Sequence, residues 1–496
     1  MSRQFGLSKS KIAAFEQCPK RLWLATYRRD LAQQSEGAEA RFAAGHEVGA
    51  VACGLLPSGT MVEAEPNLTA ALATTAALLA GNYEAPIFEA TLEHDGVLVR
   101  IDILEPDGEG GWHLAEVKST TKPKDYHLGD LATQLWVARE TGLDVRRASV
   151  RHINTSFILE REGEFQGLFT DTDLMEPALA LIDGRPGLVA EARDMLAGDE
   201  PLIEMGEQCK RPFPCEFSDY CKAHTPEMPP WPVTVLPAGG GKRWLALGVL
   251  NLLEVDAAAL TNAIQKRVHR ATLTGEPFHD ILGARAAMAA WRFPRTWLDF
   301  ETIAFAVPRW VGTRPYEQIP FQFSAHVEQE DGGIEHREFL RLDGADPRRG
   351  CADALVAMVT ADGTVVAYNA SFEKGRLLEL AAAFPDLASA LTSIADRLVD
   401  LLPVTRASWY HRDQRGSWSI KAVLRTVAPE LDYAELEVGD GAKAQAAYLE
   451  AIAPDTAPDR AAHLDAALKD YCGRDTRAMI VLARHLANEP KLEAAV

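Results

Sequence analysis

VLVRIDILEPDGEGGWHLAEVKS, residues 97–119, holds two apolar runs separated by a turn-rich break, and Asp102, Glu116 and Lys118 within it decide how the first half of the chain is read. Val97–Leu104 alternates in hydrophobicity and, with Ile87–Leu92 before it, flanks His94-Asp95-Gly96, which is a hairpin signal. A third strand, Trp112–Val117, follows the turn-rich segment Glu105–Gly111, and residues 127–141 have the spacing of a helix. Strand, turn, strand, helix is an order that gathers Asp102, Glu116 and Lys118 at one end of a sheet. Glu116 and Lys118 are two apart, so on a strand they share a face. Hard carboxylate oxygens in this arrangement suit a divalent cation, with the lysine beside a metal-bound water.

The last 200 or so residues carry a second acidic set. Trp297-Leu298-Asp299-Phe300-Glu301-Thr302 reads as a strand whose two carboxylates face the same side. Val365–Ala367 reads as a buried strand that runs into a helix beginning near Ser371 and carrying Glu373. Tyr471 and Asp475 are four apart on a later helix and so share a face. Asp400, after another apparent strand, reads as a further ligand or a helix cap.

Hydrophobic residues make up 47% of the 496-residue chain and charged residues 25%, the balance of a folded soluble protein with several domains. No apolar run approaches the ~18 residues that a membrane helix needs, and the first residues lack the apolar stretch of a secretory signal. The expected setting is cytoplasmic, with no membrane partner. A net charge of -20 argues against a broadly basic nucleic-acid surface. Positive charge is concentrated locally, around Lys20, Arg21, Arg28 and Arg29 and around Lys118, Lys122 and Lys124. The break at residues 225–242, rich in Pro and Gly, and a second at Phe293-Pro294 divide the chain into residues 1–228, a helical linker at 229–292, and residues 293–496.

An odd count of seven cysteines favours metal ligation over a disulfide framework. Cys18 lies ahead of the first acidic set, and Cys209, Cys215 and Cys221 lie behind it. Four thiolates suit a 4Fe-4S cluster or a Zn ion, and either closes a loop of about 190 residues.

These motifs carry a resemblance. Asp102, then 13 residues, then Glu116-Val117-Lys118 resembles the PD-(D/E)XK nuclease superfamily, which includes the RecB nucleases. Gly45-His46-Glu47 resembles the extra histidine metal ligand of the RecB-like branch, and Gln134 resembles its glutamine, although Ala138 stands where that branch has tyrosine. Cys18 in Gln-Cys-Pro-Lys-Arg-Leu-Trp-Leu, with Cys209, Cys215 and Cys221, resembles the iron-sulfur RecB-like exonucleases, including the CRISPR-associated ones. Its one-plus-three arrangement favours iron-sulfur over zinc. The second acidic set resembles the DnaQ-like DEDD exonucleases of ribonuclease H fold, in the subclass with Tyr-x-x-x-Asp, with Glu373 at a position that is normally Asp. Arg314-Pro315-Tyr316-Glu317-Gln318-Ile319-Pro320-Phe321-Gln322-Phe323-Ser324 joins the likeness, its aromatic side chains serving either to stack on an unpaired strand or as core. Nearly the whole chain is similar to a bacterial family that fuses an iron-sulfur RecB-like nuclease to a DnaQ-like domain.

The resemblance implies an α/β chain with a PD-(D/E)XK domain and a ribonuclease H-like domain. It implies Mg or Mn held by His46, Asp102 and Glu116 in one and by Asp299, Glu301, Glu373 and Asp475 in the other. Lys118, Gln134 and Tyr471 are the implied catalytic residues. The implied function is exonucleolytic cleavage at single-stranded or frayed ends, of DNA in preference to RNA; the alternatives are a ribonuclease acting through the DEDD domain and a nucleic-acid-binding protein with one or both sites inactive.

Overall fold

The structure is a computed structural model that describes residues 6–33, 38–65, 67–81, 84–225 and 227–490. Pro226, in the expected Pro-rich break, lies outside the described residues. The chain is mixed α/β and divides into two compact units, Met1–Pro226 with Phe305–Glu317 and Glu227–Ala304 with Gln318–Val496. Two expected boundaries change accordingly. Residues 229–292 belong to the second unit instead of standing apart as a linker, and residues 305–317 belong to the first. The physical reason for the second change is packing: Ala306 and Val307 are buried with Val48, Ile153, Phe157 and Leu168.

The first unit is built on one sheet of β1 (Leu7–Ser8), β2 (Thr60–Met61), β3 (Ile87–His94), β4 (Val97–Pro106), β5 (Trp112–Lys118), β6 (Val145–Ile153) and β7 (Phe169–Asp173). Its order is β2-β3-β4-β5-β6-β7, with β1 beside the start of β4. The expected hairpin forms between β3 and β4, closed by Asp95 at φ 46° and Gly96 at φ 66°. Positive φ at both turn residues matches the right-handed twist of the paired strands. The helix Asp125–Glu140 packs Leu131, Ala132 and Leu135 against Val97, Val99 and Ile101.

Pairing between β3 and β4 runs from Ala90↔Ile101 to Phe88↔Ile103 and skips Glu89 and Asp102. Glu89 takes φ 55°, a strained conformation costing about 1–3 kcal/mol for a residue with a side chain. Asp102 therefore lies within β4, not at its end, where the ladder is interrupted. Across it the apolar phase flips: Val99 and Ile101 join the core under Asp125–Glu140, whereas Ile103 packs with Phe88, Ala115 and Ala52.

The second unit holds a small pair, β8 (Phe278–His279) with β14 (Trp409–Tyr410), and a five-stranded sheet. The sheet comprises β9 (Arg295–Ile303), β10 (Ile319–Glu328), β11 (Ile334–Leu340), β12 (Thr364–Ala367) and β13 (Leu398–Asp400), in the order β11-β10-β9-β12-β13. The β11-β10-β9 part is antiparallel and the β9-β12-β13 part parallel. Alternation along β9 sends Leu298 and Phe300 into a core with Leu355, Leu377 and Leu380 from helices Arg348–Met358 and Ser371–Ala383. The opposite face carries Asp299 and Glu301 and meets the 29-residue helix Pro458–Leu486, where Gln322 donates a side-chain hydrogen bond to Leu468 O at 2.9 Å. Phe321 and Phe323 are fully buried in β10, so they serve as core and are not available for stacking on a strand of nucleic acid. No helix among the described residues is long and apolar enough to cross a membrane.

Candidate metal centres

In the first unit the register Ile103↔Ala115 and Leu104↔Leu114 sets Asp102 beside Glu116, one step past the last ladder pair. There the Asp102 side chain takes the place of a backbone partner, its Oδ2 accepting from Val117 N at 2.7 Å. Glu116 is fully buried and accepts three side-chain hydrogen bonds, from Lys118 Nζ at 2.5 Å, Lys9 Nζ at 2.6 Å and Gln134 Nε2 at 2.7 Å. Burial alone would raise its pKa, but the two ammonium groups outweigh burial and hold it below the usual carboxylate range. Asp102 has no such pairing. Burial, followed by repulsion from Glu116, pushes it up to about 7.

Two members of this group were missed in the sequence. Lys9 opens the first helix, Lys9–Gln17, and no local spacing ties it to Glu116, 107 positions away. Asp130 lies one turn before Gln134 on Asp125–Glu140, 3.9 Å from Lys118, and burial pushes it up to about 6. The signal for Asp130 was its helical spacing from Gln134.

His46 is exposed on the helix Ala38–Gly54, whose Val48 and Ala52 turn into the core. At about 100° per residue, position 46 points roughly 200° away from Val48. The expected basic patch is also largely neutralised, because Lys20 pairs with Glu200 at 2.7 Å, Arg21 with Glu216 at 2.9 Å and Arg28 with Asp30 at 3.1 Å.

In the second unit, Asp299, Glu301 and Asp475 bring one oxygen each within 4.8 Å of one another. Among the described residues this is the one set of three or more Asp, Glu, His or Cys donors drawn so close. Burial, and then repulsion from Asp475, raises Asp299 well above its ordinary value and Glu301 to about 8. Asp475 rises to about 6 through burial, partly offset by a hydrogen bond of 2.6 Å from the Tyr433 hydroxyl. Tyr471 is buried beside these carboxylates, and burial with their negative charge drives its phenol far above the usual range.

Lys421, at the start of helix Ile420–Val427, donates to Gly439 O at 2.7 Å and to the Tyr471 hydroxyl at 3.4 Å, and lies 5.0 Å from the Tyr433 ring centre. Tyr433 and Lys421 were not singled out in the sequence, since neither stands in a spaced motif. Two buried carboxylates and the half-buried Asp299, with the Lys421 ammonium nearby, form a donor set that suits divalent cations.

Glu373 stays outside the close set. It sits in the first turn of Ser371–Ala383, buried, and its Oε2 has no partner among the described residues. Burial, with Asp400 adding to it, pushes Glu373 up to about 7. Asp400 itself is a cap: its Oδ1 accepts from Leu402 N and from Asn369 N, both at 2.9 Å.

Cys18, Cys209, Cys215 and Cys221 line one pocket of the first unit as free thiols. The loop bearing the last three is tied to the first helix, where Gln17 Nε2 donates to Gln208 O at 2.7 Å and to Phe213 O at 2.8 Å. Burial pushes the Cys215 thiol up to about 11. The four sulfurs are more widely spread than the carboxylate set, since no three of them fall within 4.8 Å. A tetrahedral zinc with bonds near 2.3 Å holds thiolates only about 3.8 Å apart.

Residues 296–419 match a family described as a domain of unknown function (DUF2779). Over 207 residues the chain is 28% identical to the "Uncharacterized protein MG366 homolog" of Mycoplasma pneumoniae and 26% identical to the "Uncharacterized protein MG366" of Mycoplasma genitalium. Each match takes in 38% of this chain and spans 31% of the relative's length. A solved structure described as "Crystal structure of SSO0001" is similar at 14% identity, covering 45% of this chain and 89% of that one, with a TM-score of 0.25.

Proposed function

We propose that this chain is a metal-dependent nuclease, a DNA exonuclease acting on single-stranded or frayed ends, with one hydrolytic centre in each unit. In this reading the first unit is a RecB-like PD-(D/E)XK domain and the second a ribonuclease H-like DEDD domain. The observation that carries it is the convergence of Asp299 and Glu301 on β9 with Asp475 on a helix far along the chain, within 4.8 Å of one another, with Glu301 and Asp475 buried and Asp299 half-buried. Holding three carboxylates together in this way is costly unless cations neutralise them.

Mg or Mn ions bound there would supply Lewis-acid catalysis and an activated water. The chain's own residues do the rest. Asp299, Glu301 and Asp475 offer ligand oxygens, and Glu373 stands in reserve with an unpartnered oxygen. Tyr471 keeps its proton and so orients a water by donating to it. Lys421 brings positive charge to the phosphate side. In the first unit, Asp102 and Glu116 are the ligand pair, Lys118 the proton-handling group, and Gln134 the side chain that fixes Glu116. His46, exposed on its helix, is a further candidate ligand.

End-labelled single-stranded DNA and RNA, incubated with Mg or Mn, test the reading. Nucleotide release that EDTA abolishes is expected, faster on DNA. Asp102→Ala and Asp299→Ala are expected to leave different residual ladders, one from each centre. No release from any strand under any metal would sink the proposal, and faster release from RNA would reassign the substrate.

We further propose that Cys18, Cys209, Cys215 and Cys221 hold a 4Fe-4S cluster, which fits a cytoplasmic setting with free thiols. Anaerobically purified protein should then be brown, and Cys221→Ser should bleach it and release iron. A colourless protein with one equivalent of zinc would overturn the cluster.

A further inference from the structure

A cavity of about 730 Å³ in the second unit is lined by none of the residues assigned to the acidic centre. Its size is within the ~300–1,000 Å³ typical of ligand sites. Tyr368, Leu402, Trp418 and Ile420 give it apolar walls, and Arg406 and Ser417 stand at its polar edge. The polar tips of the two aromatic residues are already engaged. Tyr368 Oη donates to Trp418 O at 2.6 Å, and Trp418 Nε1 donates to Trp409 O at 2.8 Å. Trp418 is buried and closes the floor of the cavity, while the half-buried Tyr368 offers it ring surface, held in place before any ligand arrives.

The cavity is lined by residues that stand next in sequence to members of the carboxylate centre. Tyr368 and Asn369 lead directly into the helix that carries Glu373. Ile420 precedes Lys421, whose ammonium lies 3.4 Å from the Tyr471 hydroxyl. Arg406 is exposed, 5.8 Å from the Trp418 ring, and its guanidinium has no acidic partner among the described residues, which is notable in a chain of net charge -20. Two helix starts also border the space, but Asn262 Oδ1 already accepts from Ile264 N at 2.9 Å and Ser419 Oγ from Ala422 N at 3.3 Å. An anion is therefore left to Arg406.

We infer that this cavity is a subsite for one unpaired nucleotide of a single-stranded nucleic acid, its base against Tyr368 and its phosphate on Arg406. The inference rests on the reading of the neighbouring carboxylates as a phosphodiester-cleaving centre. A flat heterocycle matches the apolar walls, and base stacking on aromatic side chains tolerates any base. Arg406 supplies the local charge that the rest of the surface lacks.

Binding of a short fluorophore-labelled phosphorothioate single strand to the full chain in EDTA tests this without any cleavage. Arg406→Glu and the cavity-filling Ser417→Trp should each weaken binding about tenfold, whereas Arg406→Lys should retain most of it. A strand with abasic sugars at its ends should bind the wild-type chain as weakly as the intact strand binds Ser417→Trp. Thermal melting checks that both exposed-site variants remain folded. Wild-type affinity in both Arg406→Glu and Ser417→Trp, or equal affinity for the abasic strand, would overturn the subsite. Cleavage is scored separately with Mn. Loss of binding in the variants of a chain that never cleaves removes the hydrolytic reading alone, and cleavage with unchanged binding removes the subsite alone.

Discussion

Asp299→Asn should lower metal-dependent cleavage by the second unit by roughly a thousandfold, because it removes a central oxygen donor and several kcal/mol of charge stabilisation go with it. The same centre sets a pH dependence that can be measured without substrate. Glu301 is held at about 8 in the folded chain against an ordinary value of 4.5, so the native state binds the extra proton between those limits. Its contribution to stability is full below about pH 4.5 and is lost as pH rises toward 8.

In EDTA the melting temperature should accordingly fall from pH 5 to pH 8, by about 5 °C for a domain of this size. Saturating Mg or Mn should flatten the curve, since cation binding displaces the proton. Glu301→Gln, which is neutral throughout, should melt higher than the wild-type chain at pH 8 in EDTA. A melting temperature that rises with pH in EDTA would contradict the account.

Glu116→Ala should be the most damaging single change to the folding of the first unit. It deletes the acceptor for Lys9, Lys118 and Gln134 at once, stranding two ammonium groups whose side chains are only 17% and 25% exposed. Breaking a buried ion pair costs about 3–5 kcal/mol, and the residual exposure of the lysines places this one near the lower end, about 3 kcal/mol. A melting temperature lower by about 10 °C for the first unit is the expected readout. Glu116→Ala with Lys9→Met should recover part of the loss, because one stranded charge is gone. Unchanged melting of the single variant would show that Glu116 is not the anchor of the pair.

How far each centre could be read beforehand follows from the distances over which residues act. The β3–β4 hairpin and strands β5 and β9 were readable because alternation and turn residues act over a few positions. Glu116, Lys118, Asp299 and Glu301 were readable as pairs because a strand places every second side chain on one face. Tyr471 and Asp475 were readable because four positions make one helical turn. Lys9, Tyr433 and Lys421 were not, since their partners come from other elements and nothing in their neighbours marks them.

From sequence alone came the α/β pattern, the two acidic sets and the grouping of four cysteines around the first. Only the tertiary structure decided that Asp475 meets Asp299, that Lys9 joins Glu116, and that residues 305–317 pack with the first unit. The reason is physical: backbone periodicity is a local property, whereas burial, and with it every pKa shift and ion pair described above, is created only when distant segments exclude water together.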